Sequence, residues 1–254
     1  MKKIYLFVNK SRSGKEVKKW FDKKSLGKEA LLTDKPAQAD LFMVAGGDGT
    51  LLHAIRLFVK FNKPFFGINR GTSGFLLNQI GSAEELAKVL KKFSSCKLIK
   101  LRLLKGKFFS GRRGRRKSSY AFNDFYVKAS RGNERVVGAI RGAKSFPKHI
   151  FDGDGIIIAT PQGSTAYNYS AGGAILSLGA KQLAIKSICA RTALRAVVPE
   201  QKLTAEISRG RATAYADHSR ISSQVKKFIV SPSAKFATLA FKPGYDFEFK
   251  RWHV

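Results

Sequence analysis

Apolar runs alternate with amphipathic stretches over the first 95 residues. Ile4–Val8 and Phe65–Ile68 read as strands. Leu41-Phe42-Met43-Val44-Ala45 has no polar interruption, as expected of a strand covered on both faces. Between them, Lys15–Lys24 predicts a basic helix with Val17, Trp20 and Phe21 on one side, and Thr50–Asn62 predicts a second helix. Ser82-Ala83-Glu84-Glu85 is a capping box that opens a helix over Glu84–Phe93. Strands alternating with helices predict a parallel α/β sheet.

The pattern changes after Cys96. Lys97–Leu104, Tyr120–Val127, Arg135–Ile140, Gly155–Ala159, Lys202–Ser208, Arg211–Ala216, Lys227–Val230 and Lys235–Phe241 are short segments rich in Ile, Val, Phe, Tyr and Thr, separated by turn residues. They predict a largely β second part. The expected domains are therefore 1–96, α/β, and 97–254, β-rich, with a C-terminal tail that could return to the first domain.

Composition narrows the field. The 254 residues supply 44% hydrophobic positions, enough for a core. No apolar stretch approaches the roughly 20 residues of a membrane span. The run Ile4–Val8, followed by Asn9-Lys10, is too short for the core of a secretion signal and reads as a first strand. Two cysteines, Cys96 and Cys189, fit no metal spacing and no disulfide framework, which suits a reducing cytoplasm. His53, His149, His218 and His253 are scattered, which argues against a zinc site.

Lys+Arg 48 against Asp+Glu 17 gives a net charge of +31. Such a field attracts polyanions. The excess is spread along the chain, however, and only Arg112-Arg113-Gly114-Arg115-Arg116-Lys117 forms a dense run, placed by the pattern in a hairpin loop. With no interleaved aromatic ladder, the charge reads as general composition before it reads as a nucleic-acid site.

Chemistry concentrates in glycine-bearing segments. Gly46-Gly47-Asp48-Gly49-Thr50 links the Leu41–Ala45 strand to a helix. Glycines clear Cβ atoms from the path of a polyphosphate, and a helix N-terminus offers unpaired N–H groups to an anion. Asp48 would repel phosphate. It makes sense there as a proton acceptor or cation contact beside a phosphoryl group, or more blandly as a helix cap. Asn69-Arg70-Gly71-Thr72-Ser73-Gly74-Phe75-Leu76 follows another strand. Asn123-Asp124 lies in a strand-like stretch. Asp154-Gly155, four apolar positions and then Thr160-Pro161-Gln162-Gly163-Ser164-Thr165-Ala166-Tyr167-Asn168-Tyr169-Ser170-Ala171-Gly172-Gly173 form the longest block. Its amides, hydroxyls and Tyr167 would suit a nucleoside; the bland alternative is a helix capped by Ser164. Ser13-Gly14-Lys15 departs from a P-loop at Asn9 and Glu16, and no Gly-x-Gly-x-x-Gly follows the first strand.

Taken in this order, the blocks resemble those of NAD kinases of bacterial type. The Gly46–Thr50 motif alone is shared with diacylglycerol and sphingosine kinases and echoes phosphofructokinase, whereas the Asp154–Gly173 block is the most specific signature. The resemblance covers about residues 4 to 245. It implies an α/β N-terminal domain with a parallel sheet plus a β-rich C-terminal domain. It also implies a cytoplasmic homo-oligomer, dimer or tetramer, that phosphorylates NAD to NADP with ATP or polyphosphate. Mg²⁺ or another divalent cation would accompany ATP, with no tightly bound cofactor, no resident metal, no membrane and no dedicated nucleic-acid partner.

Carried over by residue, the resemblance makes Asp48 the general base on the adenosine-ribose 2′-hydroxyl. Gly46, Gly47, Gly49 and Thr50 would face the phosphate donor. Asp48, Gly49, Asn123, Asp124, Asp154, Thr165, Ala166, Tyr167, Asn168, Ser170 and His218 would meet NAD, with Asp217 beside His218 in a late turn. The sequence departs from the family pattern at Ser73, usually aliphatic; at Asp124, usually Glu; at Gln162, usually Thr or Ser; and at Asp152, where many members carry a base. A lipid kinase sharing the first motif would have no use for the Thr160–Gly173 block, and a charge-driven nucleic-acid binder none for Asp48 or Asp154.

Overall fold

The computed structural model describes residues 1–8, 12–22, 26, 29–72, 74–111, 115–132, 134–246 and 248–252. Parts of the sequence reading fall on Asn9, Lys10, Lys24, Ser73, Arg112, Arg113, Gly114 and His253, which lie outside the described residues. The chain divides into two compact units, Met1–Leu101 with Phe236–His253, and Arg102–Lys235.

In the first unit β1 (Lys2–Val8), β2 (Ala30–Leu32), β3 (Leu41–Gly46) and β4 (Phe65–Asn69) are all parallel, in the order β2-β1-β3-β4. The end of the last long strand, β16 (Val225–Phe241), joins β4 in parallel through Leu239 against Phe65. Every residue of β3 is buried, as its unbroken apolar run requires. Alternate side chains of the sheet serve different helices. Leu41, Met43, Ala45, Phe66 and Ile68 pack with Val17 and Trp20 of the helix Arg12–Trp20 and with Leu86 and Val89 of the helix Ala83–Lys91. Phe42 points the other way and stacks on Phe58 of the helix Asp48–Phe58, centroids 4.9 Å apart. The strand order reverses between β1 and β3, and the Gly46–Thr50 motif leaves the carboxyl end of β3 at that switch point, where open α/β sheets bind ligands.

The second unit is a β-sandwich. One layer runs β6 (Arg115–Ala121), β5 (Lys97–Ser110), the first part of β16, β13 (Leu203–Arg209), β8 (Val136–Arg141) and β9 (His149–Gly153). The other runs β12 (Arg195–Pro199), β11 (Gln182–Ile188), β10 (Gly155–Ala159), β7 (Asp124–Ala129), β14 (Ala212–Ala216) and β15 (Ser219–Ser222). Phe108, Phe125, Val127, Ile140, Phe151, Ile156, Ile158, Ile185, Leu203 and Phe228 fill the space between the layers.

Several elements differ from the sequence reading. The helix expected over Lys15–Lys24 is Arg12–Trp20. The one expected over Thr50–Asn62 starts two residues earlier, and its last turn tightens to a 3₁₀ helix over Val59–Phe61, stopped by Asn62 at φ 53°. In the capping box, Ser82 Oγ accepts from Glu85 N as expected, but the Glu85 carboxylate accepts from the Gly81 N–H. Tyr120–Val127 is not one strand: it breaks at Phe122-Asn123, because the N–H groups there are drawn to a side chain. Lys227–Val230 and Lys235–Phe241 are one strand, β16. Arg115, Arg116 and Lys117 lie in β6, paired with β5, rather than in a loop. Strands β2, β9, β11, β12 and β15 went unread.

Candidate active site

One candidate site, in the first unit, grows from the carboxyl end of β3. Gly47 is the helix N-cap residue, in extended conformation (φ −97°, ψ −176°), and Asp48 is the first helical residue. The cap reading of Asp48 is thereby corrected: its carboxylate turns away from its own helix. Oδ2 accepts the Phe75 N–H at 3.1 Å, and Oδ1 accepts the Leu76 N–H at 3.2 Å. The loop after β4 is thus tied to the loop after β3. A second tie is the Arg70 N–H to the Gly46 carbonyl, 2.8 Å. Gly71 suits this approach, since a Cβ there would sit 3.2 Å from the Gly47 Cα, a tight contact. Asn69 Oδ1 accepts from the Gly71 N–H, and the Arg70 guanidinium lies over Trp20, 4.6 Å from the ring centroid. A Cβ on exposed Gly49 would meet nothing within 4 Å, so this helix start presents bare backbone to open space. The geometry is one carboxylate beside unhindered N-terminal amides, which suits a proton transfer next to an anion.

A second candidate site, in the second unit, is organised around the break between β6 and β7. Asp217 sits in the β14–β15 turn in the left-handed region, φ 52°, which Asp tolerates better than most residues. Its Oδ1 accepts the Asn123 N–H at 2.7 Å and the Asp124 N–H at 3.2 Å; its Oδ2 accepts the Phe122 N–H at 3.2 Å. The carbonyls of the same kink are held from the other side. Thr160 Oγ1 donates to Phe122 O and Asn123 O, and buried Gln162 Nε2 donates to Phe122 O and Arg102 O. The length of Gln162 lets it serve both carbonyls. Gly163 packs its backbone on Asn123, whose carbonyl oxygen a Cβ would strike. With the main chain satisfied, Asn123 Oδ1 and Asp124 Oδ1 remain buried without a hydrogen-bond partner. A native structure retains such atoms for a reason, and a ligand hydroxyl would supply the missing bond.

Burial pushes the Asp124 carboxyl well up, with the neighbouring Asp217 charge adding to it. Burial also raises Asp217, opposed by its three N–H donors and by His218. Of the pair, Asp124 is the one pushed further toward holding its proton. The sign for stability follows: the folded state binds that proton more tightly than the unfolded chain, so stability falls as pH rises from the ordinary carboxylate range toward the raised value. Asp124→Asn, which cannot ionise, is expected to melt higher than wild type near pH 8, with the gain shrinking toward pH 4. Thermal melts of both proteins across that range measure it; an unchanged difference at all pH values would contradict a neutral, buried Asp124.

Beside Asp124 three tyrosines gather. Tyr126 stacks on Tyr215 (centroids 4.7 Å, 11°) and meets Tyr167 edge-on at 5.0 Å. Burial raises the Tyr126 hydroxyl to about 12, with the Asp124 charge next in effect. Tyr167 is raised by burial, then by Cys189, Asp154 and Asp124, which locates those groups around it. Thr165 is buried, and Ser170 and His218 are exposed. The expected helix is one turn only, Tyr167–Ser170, with Ala166 as its N-cap residue. Ser164 does not cap it: its hydroxyl donates to Pro161 O and accepts the Leu176 N–H. Asn168 is fully buried, and its amide donates to Ser164 O and Ala174 O, so it braces the loop from inside. Asp152 is paired with Arg135 at 3.0 Å.

Sequence reading placed Asp217 with His218 in a late turn near the ligand but missed that its carboxylate holds the Phe122–Asp124 backbone, and it missed the roles of Tyr126 and Tyr215 and of the Phe75 and Leu76 amides. Only Asp217 carried a signal, an acidic residue in a short turn between alternating segments.

Two family models match the chain: ATP-NAD kinase N-terminal domain over residues 3–97 and ATP-NAD kinase C-terminal domain over residues 132–229. The chain is 37% identical over 162 residues to an NAD kinase of Helicobacter pylori (strain ATCC 700392 / 26695), covering 64% of this chain and 54% of that protein. It is 34% identical over 189 residues to an NAD kinase of Clostridium botulinum (strain Loch Maree / Type A3), covering 74% and 64%. The chain thus spans between about half and two thirds of the length of these relatives. Among solved structures, the fold is similar to an NAD kinase from Archaeoglobus fulgidus in complex with ATP, with TM-score 0.76, 22% identity and 99% of each chain covered. It is also similar to yeast NADH kinase complexed with NADH, with TM-score 0.83, 20% identity, and 100% of this chain and 87% of that one covered.

Proposed function

Because the chain belongs to the NAD kinase family, we propose that it transfers the terminal phosphoryl group of ATP, or of polyphosphate, to the adenosine-ribose 2′-hydroxyl of NAD. The observation that carries this reading is the Asp48 carboxylate, held by two amides at a helix start whose glycine backbone is bare. The 2′-oxygen forms the new bond to phosphorus as the bond to the leaving phosphate oxygen breaks. Asp48 takes the hydroxyl proton, and NADP leaves together with ADP or, with polyphosphate as donor, the chain shortened by one phosphate. Such transfers depend on positioning and charge neutralisation. Gly46, Gly47, Gly49 and Thr50 receive the donor phosphates.

Asn123 and Asp124 bind a ribose hydroxyl with their unpartnered oxygens. Thr165, Ala166, Tyr167 and Ser170 form the adenosine side, with Asp154 toward the nicotinamide end and His218 at the turn. Asn168 acts by bracing this loop. The divalent cation, Mg²⁺ by default, is part of the substrate, carried on the donor phosphates. No helix among the described residues is long and apolar enough to cross a membrane.

The test is NADP formation from NAD with ATP and Mg²⁺, followed with a dehydrogenase that accepts only NADP. No product above a heat-killed control, across several metals and both donors, rejects the kinase. Within an active enzyme, Tyr167→Ala is expected to raise KM for NAD about tenfold while kcat stays within a few-fold, because a packing ring contributes equally to ground and transition states. A fall in kcat at constant KM would move Tyr167 from binding to chemistry.

A further inference from the structure

We infer that Tyr245, on the segment that follows β16, is a positioning residue for the Asp48 carboxylate, acting through the backbone of the loop after β4. This rests on the reading of Asp48 as the proton acceptor. The two amides that hold Asp48 belong to Phe75 and Leu76. One residue further on, the Leu77 carbonyl accepts the Tyr245 hydroxyl at 2.9 Å. The same stretch of loop is therefore held by Asp48 on its amides and by Tyr245 on its carbonyl.

The ends of the loop are anchored separately. At its start, Asn69 Oδ1 holds the Gly71 N–H. At its far end, fully buried Asn78 donates to Gly67 O and Ala240 O and accepts the Lys242 N–H at 2.8 Å. Lys242 Nζ reaches Glu85 at 2.7 Å. These contacts fix the fold around the loop. Tyr245 adds a tether near its middle, next to the two amides on which Asp48 depends.

Two further observations fit this role. The Tyr245 hydroxyl also has a side-chain hydrogen bond with Gln79, so its direction is set from both sides. Burial, and then the charge of Asp48 itself, raise its pKa. The phenol thus remains a donor throughout the neutral range. Its ring is separately seated, stacked with Phe241 at 6.1 Å and 12°. A phenylalanine would keep that seat and lose only the hydroxyl.

The test is Tyr245→Phe. Expected are an unchanged melting temperature and unchanged KM for NAD, with kcat lower by about tenfold, less than the roughly 10²-fold that a 1 Å misplacement of a reacting group costs. Amide hydrogen exchange at Phe75 and Leu76 should speed up in the same variant, a readout that requires no turnover. Faster exchange with unchanged kcat would show that the tether does not govern the base. Lower kcat with unchanged exchange would show that Tyr245 acts by another route, and either result overturns the proposal. A wild-type protein that makes no NADP removes the premise and the proposal together. That outcome is distinguishable from failure of the tether alone, in which wild type and variant turn over equally.

Discussion

Asp48→Asn is expected to lower kcat for NAD phosphorylation by about 10²-fold or more, the usual worth of a general base. The structure makes this substitution less innocent than its shape suggests. Asp48 accepts two backbone N–H groups, one on each oxygen. Asparagine can satisfy one of them and turns an NH₂ toward the other, so the loop carrying Phe75 and Leu76 is disturbed as the proton acceptor is lost. Measuring NAD affinity by calorimetry alongside kcat separates the effects: loss of the base leaves affinity intact, whereas loss of the loop weakens it. If turnover stays within a few-fold of wild type, Asp48 is a loop anchor and the base lies elsewhere.

The largest loss of stability is expected at Asp217. Alanine there orphans three consecutive amides, those of Phe122, Asn123 and Asp124. An unsatisfied buried donor costs about 1–3 kcal/mol. Because the turn is only partly buried and water can reach part of the gap, a total of roughly 3 kcal/mol, at the low end of that range for three donors, is the expected figure. Asparagine should cost less, since one carbonyl oxygen in the place of Oδ1 retains the Asn123 and Asp124 bonds and forfeits only that to Phe122. Urea denaturation of the two variants checks the order. KM for NAD should follow the same order, because these amides aim the Asn123 and Asp124 side chains. Equal midpoints for wild type and the alanine variant would mean that the three bonds contribute nothing.

The contrast between Asp48 and Asp217 indicates what the chain makes legible before it folds. Asp48 stands in a dense local motif, and its place at the end of an unbroken apolar strand follows from periodicity alone. Asp217 stands in an ordinary turn, and its partners lie some 94 residues earlier. No local pattern announces a carboxylate that gathers a distant backbone. The fold classes of both parts were legible because β3 is apolar throughout and β13 alternates. Strand β11 was not, because Lys186 and Ser187 interrupt its apolar run; buried Ser187 is tolerated since its hydroxyl bonds to the backbone of Leu194. Strand β16 was read as two pieces because Pro232 lacks a donor. The proline falls between the residues registered on β13, up to Val230, and Leu239, registered on β4. Ser164 looked like a helix cap by type and spacing, yet its hydroxyl is committed to Pro161 and Leu176.

The division of the chain bears on how the protein is made. The first compact unit begins at Met1 but is completed only by Phe236 and the residues after it. On the ribosome, β4 therefore waits for its neighbour while Arg102–Lys235 is synthesised, about seven to twenty-seven seconds at about 5–20 residues per second. Throughout that interval Asn78 lacks the Ala240 carbonyl and the Lys242 amide that later satisfy its side chain, and one edge of a parallel sheet stays unpaired. An open edge of this kind invites pairing with another nascent chain. A fragment ending near residue 101 would carry the same exposed edge permanently. Yield of soluble protein should therefore depend on how quickly the codons for Arg102–Lys235 are translated, and on chaperones that shield β4 until Phe236 and the residues after it emerge.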